Sequence, residues 1–313
     1  MICLKKWRAT LSKSKELIVI SGATGWLGLS LLEEIAKTQF CSIEQIVLIS
    51  SQIKEVETSN RIIKTNTWKN LAINSPVGIY FDFAFQTQEK IIGLGEEKYI
   101  EANEKLIENS VNFIKSYKPK AIFLASSGAV YGKNYSSNPN PSSIYGKLKL
   151  KQEAKISKIA VDENLNLLIS RVFNLSGRHI NKFQTFAIAQ MIKSAMDDNY
   201  IKVLSDYKVF RRYTDVNQFT RLILNLLISK KVGIFDSGGP LIEIRELALE
   251  IKKIINPLTE LEFKNITKNI PVDDYYSRSD QYEDLLRQYL NEAPISIKDQ
   301  ILETFRYMQN ATN

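Results

Sequence analysis

The chain has 313 residues, 44% of them hydrophobic, and a formal net charge of +8. That length holds one large α/β domain, or one with a small lobe, and the apolar content suffices for a full core. No apolar run approaches the ~20 residues that cross a bilayer. Its 2 cysteines, Cys3 and Cys41, make neither a disulfide framework nor a metal-ligand spacing, and its 1 histidine, His179, argues against histidine metal sites and a Ser-His-Asp triad.

The excess of positive charge is spread through the chain rather than gathered in one stripe. It reads as a lysine-rich surface, and with no zinc-finger, helix-turn-helix or RNA-binding signature no nucleic-acid partner is expected. Residues 1–16 read as a basic extension. Its start, Met-Ile-Cys-Leu-Lys-Lys-Trp-Arg, lacks the apolar centre of a signal peptide, so a cytoplasmic location without a membrane partner is the expectation.

In chain order, Leu17–Ile20 is a short apolar run followed closely by Gly22, which predicts a buried strand. The apolar spacing of residues 29–37 predicts a helix, and Gln45–Ile49 the next strand. Asp82-Phe-Ala-Phe85, after a Ser-Pro-Val-Gly turn, is expected to end another strand. Residues 101–115 have helical spacing, 121–125 are a strand, 145–161 a helix and 165–171 a strand. Strands alternating with helices of ten to fifteen residues imply right-handed βαβ units. The expected fold is therefore α/β, a Rossmann-type doubly wound parallel sheet, with ligands beyond the carboxyl ends of its strands, where Gly22, Phe85 and Ser127 lie.

After Arg178 the rhythm loosens. Helices are expected over 182–196 and 218–228, a strand and turn over 233–240, and a helix from about Ile242. A last helix is expected over 296–308, with Ser296 as its N-cap. The division is a dinucleotide-binding domain over 17–177 and a mainly substrate-binding lobe over 178–313, interleaved with the sheet domain.

Gly22-Ala-Thr24-Gly25-Trp26-Leu27-Gly28 stands between a strand and a helix. Glycines there allow a tight turn and close approach of backbone to a pyrophosphate, and the helix N-terminus favours its charge. An acidic residue about twenty positions on would favour NAD by binding the ribose hydroxyls. The second strand instead runs into Ser50-Ser51-Gln52-Ile53-Lys54. Ser51 and Lys54 could meet a 2′-phosphate, so the cofactor reading leans to NADP, with NAD as the alternative.

Tyr145 and Lys149 are spaced Y-x-x-x-K. On a helix they share a face, one turn apart. A tyrosine serves as acid or base only if its phenol ionises well below its free pKa of ~10, and the lysine charge favours the phenolate. Ser127, which closes an apolar strand, could hold a substrate oxygen while the proton moves. A Y-x-x-x-K pair alone is weak, but the glycine turn, a strand-ending serine and the Tyr/Lys pair in this order describe a hydride-transfer site.

These motifs resemble the extended short-chain dehydrogenase/reductase family, in particular its nucleotide-sugar epimerase/dehydratase/reductase group. The residues that carry the resemblance are the glycine turn, Ser126-Ser127-Gly-Ala-Val-Tyr131-Gly132, Tyr145-Gly-Lys-Leu-Lys149 with Glu153, Arg171-Val-Phe173-Asn174-Leu-Ser-Gly177, and Arg211-Arg-Tyr-Thr-Asp215-Val. The resemblance implies that Ser127, Tyr145 and Lys149 are catalytic and that Lys149 also touches the nicotinamide ribose. It places Ala84, Phe85 and Phe173 against the cofactor. It places Asn174 and Arg211 on the diphosphate of a nucleotide sugar, with Phe85, Ser127 and Gly128 nearby. It also implies a homodimer, through a helix bundle that includes the Tyr/Lys helix. Where the family writes Phe-His-Leu-Ala-Ala, this chain has Phe81-Asp82-Phe83-Ala84-Phe85.

Dehydratases of that group carry Asp-Glu after the catalytic serine or threonine. Here Gly128 and Ala129 stand there, and neither can transfer a proton. Two reactions remain open: reduction of a nucleotide-linked 4-keto-6-deoxy sugar with NAD(P)H, which the missing carboxylate favours, and 4-epimerisation with a retained NAD. A non-catalytic NADP-binding regulator on the same fold is the reading from another class.

Overall fold

The structure is a computed structural model and describes residues 15–58, 61–132, 138–267 and 272–312. Of the basic extension expected over residues 1–16, residues 1–14 lie outside the described residues.

β1 (Leu17–Ser21) forms from an unbroken apolar run, which only a strand covered on both faces can bury; Ile18, Val19 and Ile20 are fully buried. The glycine turn leads into α1 (Trp26–Thr38), whose buried stripe includes Leu31, Leu32 and Ile35. It ends on Gln39 in a left-handed conformation. β2 (Ile46–Ile49) follows, then the short antiparallel pair β3 (Glu55–Glu57) and β4 (Ile62–Lys64). β5 spans Val77–Asp82 and is buried throughout. It thus begins inside the expected turn and ends three residues before Phe85, because Phe83 N turns to Ser21 O (3.3 Å) and the chain leaves the sheet there.

α2 (Lys90–Leu94) precedes α3 (Glu96–Tyr117), which has Glu96 and Glu97 at its positive end, Lys115 at its negative end, and a buried stripe through Tyr99, Asn103, Ile107, Ser110 and Ile114. β6 (Ala121–Ser127), α4 (Ile144–Asp162) and β7 (Asn166–Val172) complete this stretch. The chain continues through β8 (Asn174–Ser176), α5 (Ala187–Asp197), β9 (Tyr200–Val203), β10 (Val209–Asp215), α6 (Val216–Ile228) and β11 (Gly233–Asp236). It ends with β12 (Leu241–Glu243), α7 (Ile244–Ile255), β13 (Glu260–Phe263), β14 (Asp273–Asp274), α8 (Gln281–Leu290) and α9 (Ile297–Thr312). The expected helix over 182–196 is shorter at its start, and Ser296 does cap α9, accepting from Asp299 N at 3.1 Å.

Two compact units result. The first takes in the described residues through Gly132, those from 138 through Arg171, and Thr220–Phe235. Its sheet has six strands in the order β11-β7-β6-β5-β1-β2, parallel, with helices in its crossovers except that from β2 to β5, whose described residues hold the β3–β4 pair instead. The strand order reverses between β1 and β5, the switch point at which ligands bind in open α/β sheets. The described residues of the second unit are Val172–Phe219 and those from Asp236 on, so Phe173 and Asn174 belong to it. There β10 pairs with β8 and β14 in parallel and with β12 antiparallel. α9 is tied to β8 by Ser176 to Gln300 (2.5 Å) and Gly177 N to Thr304 (2.8 Å). No helix among the described residues is long and apolar enough to cross a membrane.

Candidate active site

At the switch point the three glycines of the turn do different work. Gly22 has φ +67°, and a Cβ there would stand 2.8 Å from the backbone of Phe83 and Ala84. A Cβ at Gly28 would stand 2.6 Å from Gly22 O. Both are demanded by the protein's own backbone. A Cβ at Gly25 would meet only Gly22 O, at 3.2 Å. That contact is tight but milder than those at Gly22 and Gly28, so packing constrains Gly25 less, and its lack of a side chain leaves open the N-terminus of α1. No side chain caps that terminus and no acidic residue stands in its first turn, so the helix presents its positive end there. Trp26 is buried, with Thr24 and Leu27 half-buried beside it. This cradle fits a dinucleotide pyrophosphate.

β6 ends at Ser127, whose hydroxyl accepts from Ala129 N (3.2 Å) and so starts a tight turn over Gly128–Tyr131. α4 begins at Ser143, which accepts from Gly146 N at 3.1 Å. Gly146 lets α4 lie against the Ser127 turn: a Cβ there would stand 2.3 Å from Ala129 O. Tyr145 and Lys149 thus start the helix beside the end of β6. Lys149 is 4% exposed and its Nζ donates to Ala125 O (2.7 Å) and Gln152 Oε1 (3.1 Å). The same Nζ sits 3.9 Å above the Phe85 ring, and that ring meets the Tyr145 ring edge-on at 5.7 Å between centroids. Phe85 therefore bridges the two, and Ala84 N approaches Ser21 Oγ at 3.4 Å.

Burial lowers the Lys149 pKa to about 8, partly offset by the charges of Asp82 and Glu153. The ammonium form prevails at neutral pH and is lost as pH rises through that value. Asp82, at the end of β5, is 1% exposed, and burial raises its pKa. It accepts from Ser21 Oγ (2.8 Å) and Gln152 Nε2 (3.1 Å).

Glu153 holds Arg171 through a two-pronged contact, Nε to Oε1 at 3.1 Å and Nη2 to Oε2 at 2.7 Å. Arg171 also donates to the Tyr131 hydroxyl (2.9 Å), and Ser126 donates to Glu153. This pair fastens α4 to β6 and β7. Gln152 and Ser21 were not singled out in the sequence, since neither belongs to a motif and only burial brings them to Asp82.

Ser50, expected near the cofactor, has its hydroxyl taken by its own loop: it bonds Gln52 O and Thr65 Oγ1, the latter at 2.9 Å. Ser51 and Lys54 are exposed on the segment after β2. At the end of β2 a parallel bridge joins Ile49 to Asn66. In the second unit, the Phe173 amide donates to Ser237 Oγ (3.0 Å) and its ring packs on Tyr275. The Asn174 amide donates to Arg212 O and Tyr275 O, both at 3.3 Å. Arg211 grips Asp273, with Nη2 to Oδ2 at 2.8 Å and Nη1 to Oδ1 at 3.1 Å. The sequence reading foresaw no such anion beside it. Among the described residues no group of three or more His, Cys, Asp or Glu is placed to hold a metal ion.

Three solved structures of similar fold span this chain nearly end to end. MoeE5 in complex with UDP-glucose and NAD has TM-score 0.76 at 16% identity, covering 95% of this chain and 100% of that one. UDP-glucuronic acid 4-epimerase from Bacillus cereus, with UDP-glucuronic acid and NAD, has TM-score 0.75 at 18% identity, covering 95% and 100%. UDP-N-acetylglucosamine 4-epimerase from Methanobrevibacter ruminantium M1, with UDP-N-acetylmuramic acid, has TM-score 0.74 at 16% identity, covering 95% and 99%. At these identities the likeness is one of fold. Comparison with curated proteins finds no match. Residues 18–235 match the family described as NAD dependent epimerase/dehydratase, and that stretch holds the glycine turn, Ser127, Tyr145, Lys149 and Arg211. With most of its length so matched, the chain belongs to the NAD-dependent epimerase/dehydratase family.

Proposed function

We propose that the chain is an NAD(P)-dependent oxidoreductase of nucleotide sugars, reducing a 4-keto-6-deoxy sugar at C4. The observation that carries this reading is the buried Lys149 ammonium one helical turn from Tyr145, with Phe85 touching both, where β6 ends in Ser127. A nicotinamide dinucleotide at the glycine turn would supply the hydride. Tyr145 gives its phenolic proton to the forming C4 alkoxide and later regains one from solvent. Lys149, held charged, stabilises the phenolate left behind. Ser127 holds the substrate oxygen. Gly128 and Ala129 offer no acid or base for elimination.

The lean to NADP rests on β2 running out into serines without a carboxylate, whereas MoeE5 and the Bacillus cereus epimerase carry NAD. A diphosphate at Arg211 would displace Asp273 from its guanidinium. Titration of NADPH and NADH against a panel of nucleotide-linked 4-keto-6-deoxy sugars tests the reaction. Stoichiometric loss of reduced cofactor with one sugar is the expected result. A tightly retained NAD, no net absorbance change and a 4-hydroxy sugar inverted at C4 would establish the second reading, a 4-epimerase. That reading is favoured by the two structurally similar 4-epimerases. Neither outcome with any sugar nucleotide would overturn both.

Gly25→Val is expected to abolish cofactor binding while the protein still folds, since its Cβ meets one backbone atom, Gly22 O at 3.2 Å, which a shift of a few tenths of an ångström relieves. Calorimetric titration of cofactor and a thermal melt check this together. Unchanged affinity would remove the cofactor from this turn.

A further inference from the structure

We infer that the Asp82 carboxylate, acting through the Gln152 amide, is a positioning residue that fixes the Lys149 ammonium over the Phe85 ring and balances its buried charge. The inference rests on the reading of Lys149 as part of the active site, and it gives a role to the residue that stands where the family writes His.

The geometry has a direction. The Gln152 Nε2 donates to Asp82 Oδ2 (3.1 Å) and its Oε1 accepts from Lys149 Nζ (3.1 Å). An amide can satisfy both only in this orientation, because a carboxylate only accepts and an ammonium only donates. Asp82 is held in turn by Ser21 (2.8 Å), and Tyr80, fully buried, donates to that serine at 3.2 Å. The line Tyr80, Ser21, Asp82, Gln152, Lys149 runs from the sheet's carboxyl edge to the catalytic helix, and Asp82, Gln152 and Lys149 are each at most 4% exposed. A buried charge needs a partner of opposite sign and satisfied hydrogen bonds.

The groups around Lys149 leave Asp82 as that partner. From its own helix come Tyr145 and Glu153, but Glu153 is engaged by both prongs of Arg171 from β7 and by Ser126 from β6. Tyr131 bonds Arg171, and Tyr80 bonds Ser21 and Ser110. Asp82 is the carboxylate facing Lys149 from β5 with no cation of its own among these contacts, and of the two carboxylates whose charge holds the Lys149 proton its effect is the larger, that of Glu153 the smaller.

The test reads Lys149 itself. In protein carrying lysines labelled with carbon-13 at Cε, the Lys149 signal is assigned by its loss in Lys149→Arg and titrated with pH, without substrate. In the wild type its midpoint is expected at about 8. In Asp82→Asn it should fall by a pH unit or more, a loss of about tenfold in proton affinity. In the double variant Asp82→Asn/Gln152→Glu, which returns a carboxylate next to the ammonium, it should come back to the wild-type value or above. A purely structural role for Asp82 would give no such rescue. A midpoint unmoved in Asp82→Asn, or unrescued in the double variant, overturns the inference. Should Asp82→Asn fail to fold, Gln152→Leu leaves Asp82 in place and cuts the link; an unmoved midpoint there overturns it equally. Because no turnover is needed, the two readings fail separately. A shifted Lys149 in a protein that converts no sugar nucleotide counts against the proposed reaction alone. An unmoved one in an active enzyme counts against this inference alone.

Discussion

Tyr145→Phe is expected to reduce hydride transfer by about 10²- to 10⁴-fold, the span typical of losing a general acid, with cofactor affinity nearly unchanged. The substitution removes only the hydroxyl. The ring that meets Phe85 edge-on at 5.7 Å is kept, so the packing that seats Lys149 over Phe85 survives. The effect should therefore fall on the chemical step, and single-turnover nicotinamide absorbance separates it from binding. Turnover within tenfold of wild type would remove Tyr145 as the proton donor.

Glu153→Gln should cost about 3–5 kcal/mol of stability, the range for stripping one partner from a buried ion pair. It keeps the shape of the side chain and deletes the charge that Arg171, 7% exposed, depends on. The companion variant Glu153→Leu/Arg171→Met should recover most of that loss, because an apolar pair of similar volume leaves no charge to solvate. Equilibrium urea unfolding of the single and double variants measures both. If the single variant loses less than about 1 kcal/mol, as an exposed pair would, the pair is not the clasp between α4 and β7 that the geometry describes.

The first unit was legible in the sequence because its signals are local. An unbroken apolar run encodes a buried strand wherever it stands, and β1, β2, β6 and β7 fall within a residue or two of expectation. Among these strands the end of β5, at Asp82 rather than Phe85, is set by hydrogen bonds to Ser21, 61 residues earlier. The second unit was read less well for the same reason. β10 carries Arg211 and Arg212 side by side, which hides its strand character until β8, β12 and β14 pair with it and Asp273, Asp280 and Glu283 take the two guanidinium groups. α8 lies where no helix is expected above, although Tyr282, Leu285 and Leu286 carry a helical spacing and are buried.

By itself the sequence determined the alternation of strands and helices, the glycine turn, and the placing of Tyr145 and Lys149 one turn apart, since each depends on residues a few positions away. Only the tertiary structure decided what surrounds them. It separated Gly25 from Gly22 and Gly28 by what a side chain would strike. It turned Ser50 into its own loop and gave Arg211 an aspartate. It brought Asp82 to Gln152 across 70 residues to meet the charge of Lys149. Burial sets the need for those partners, and burial is a property of the whole packed unit rather than of any short stretch of chain.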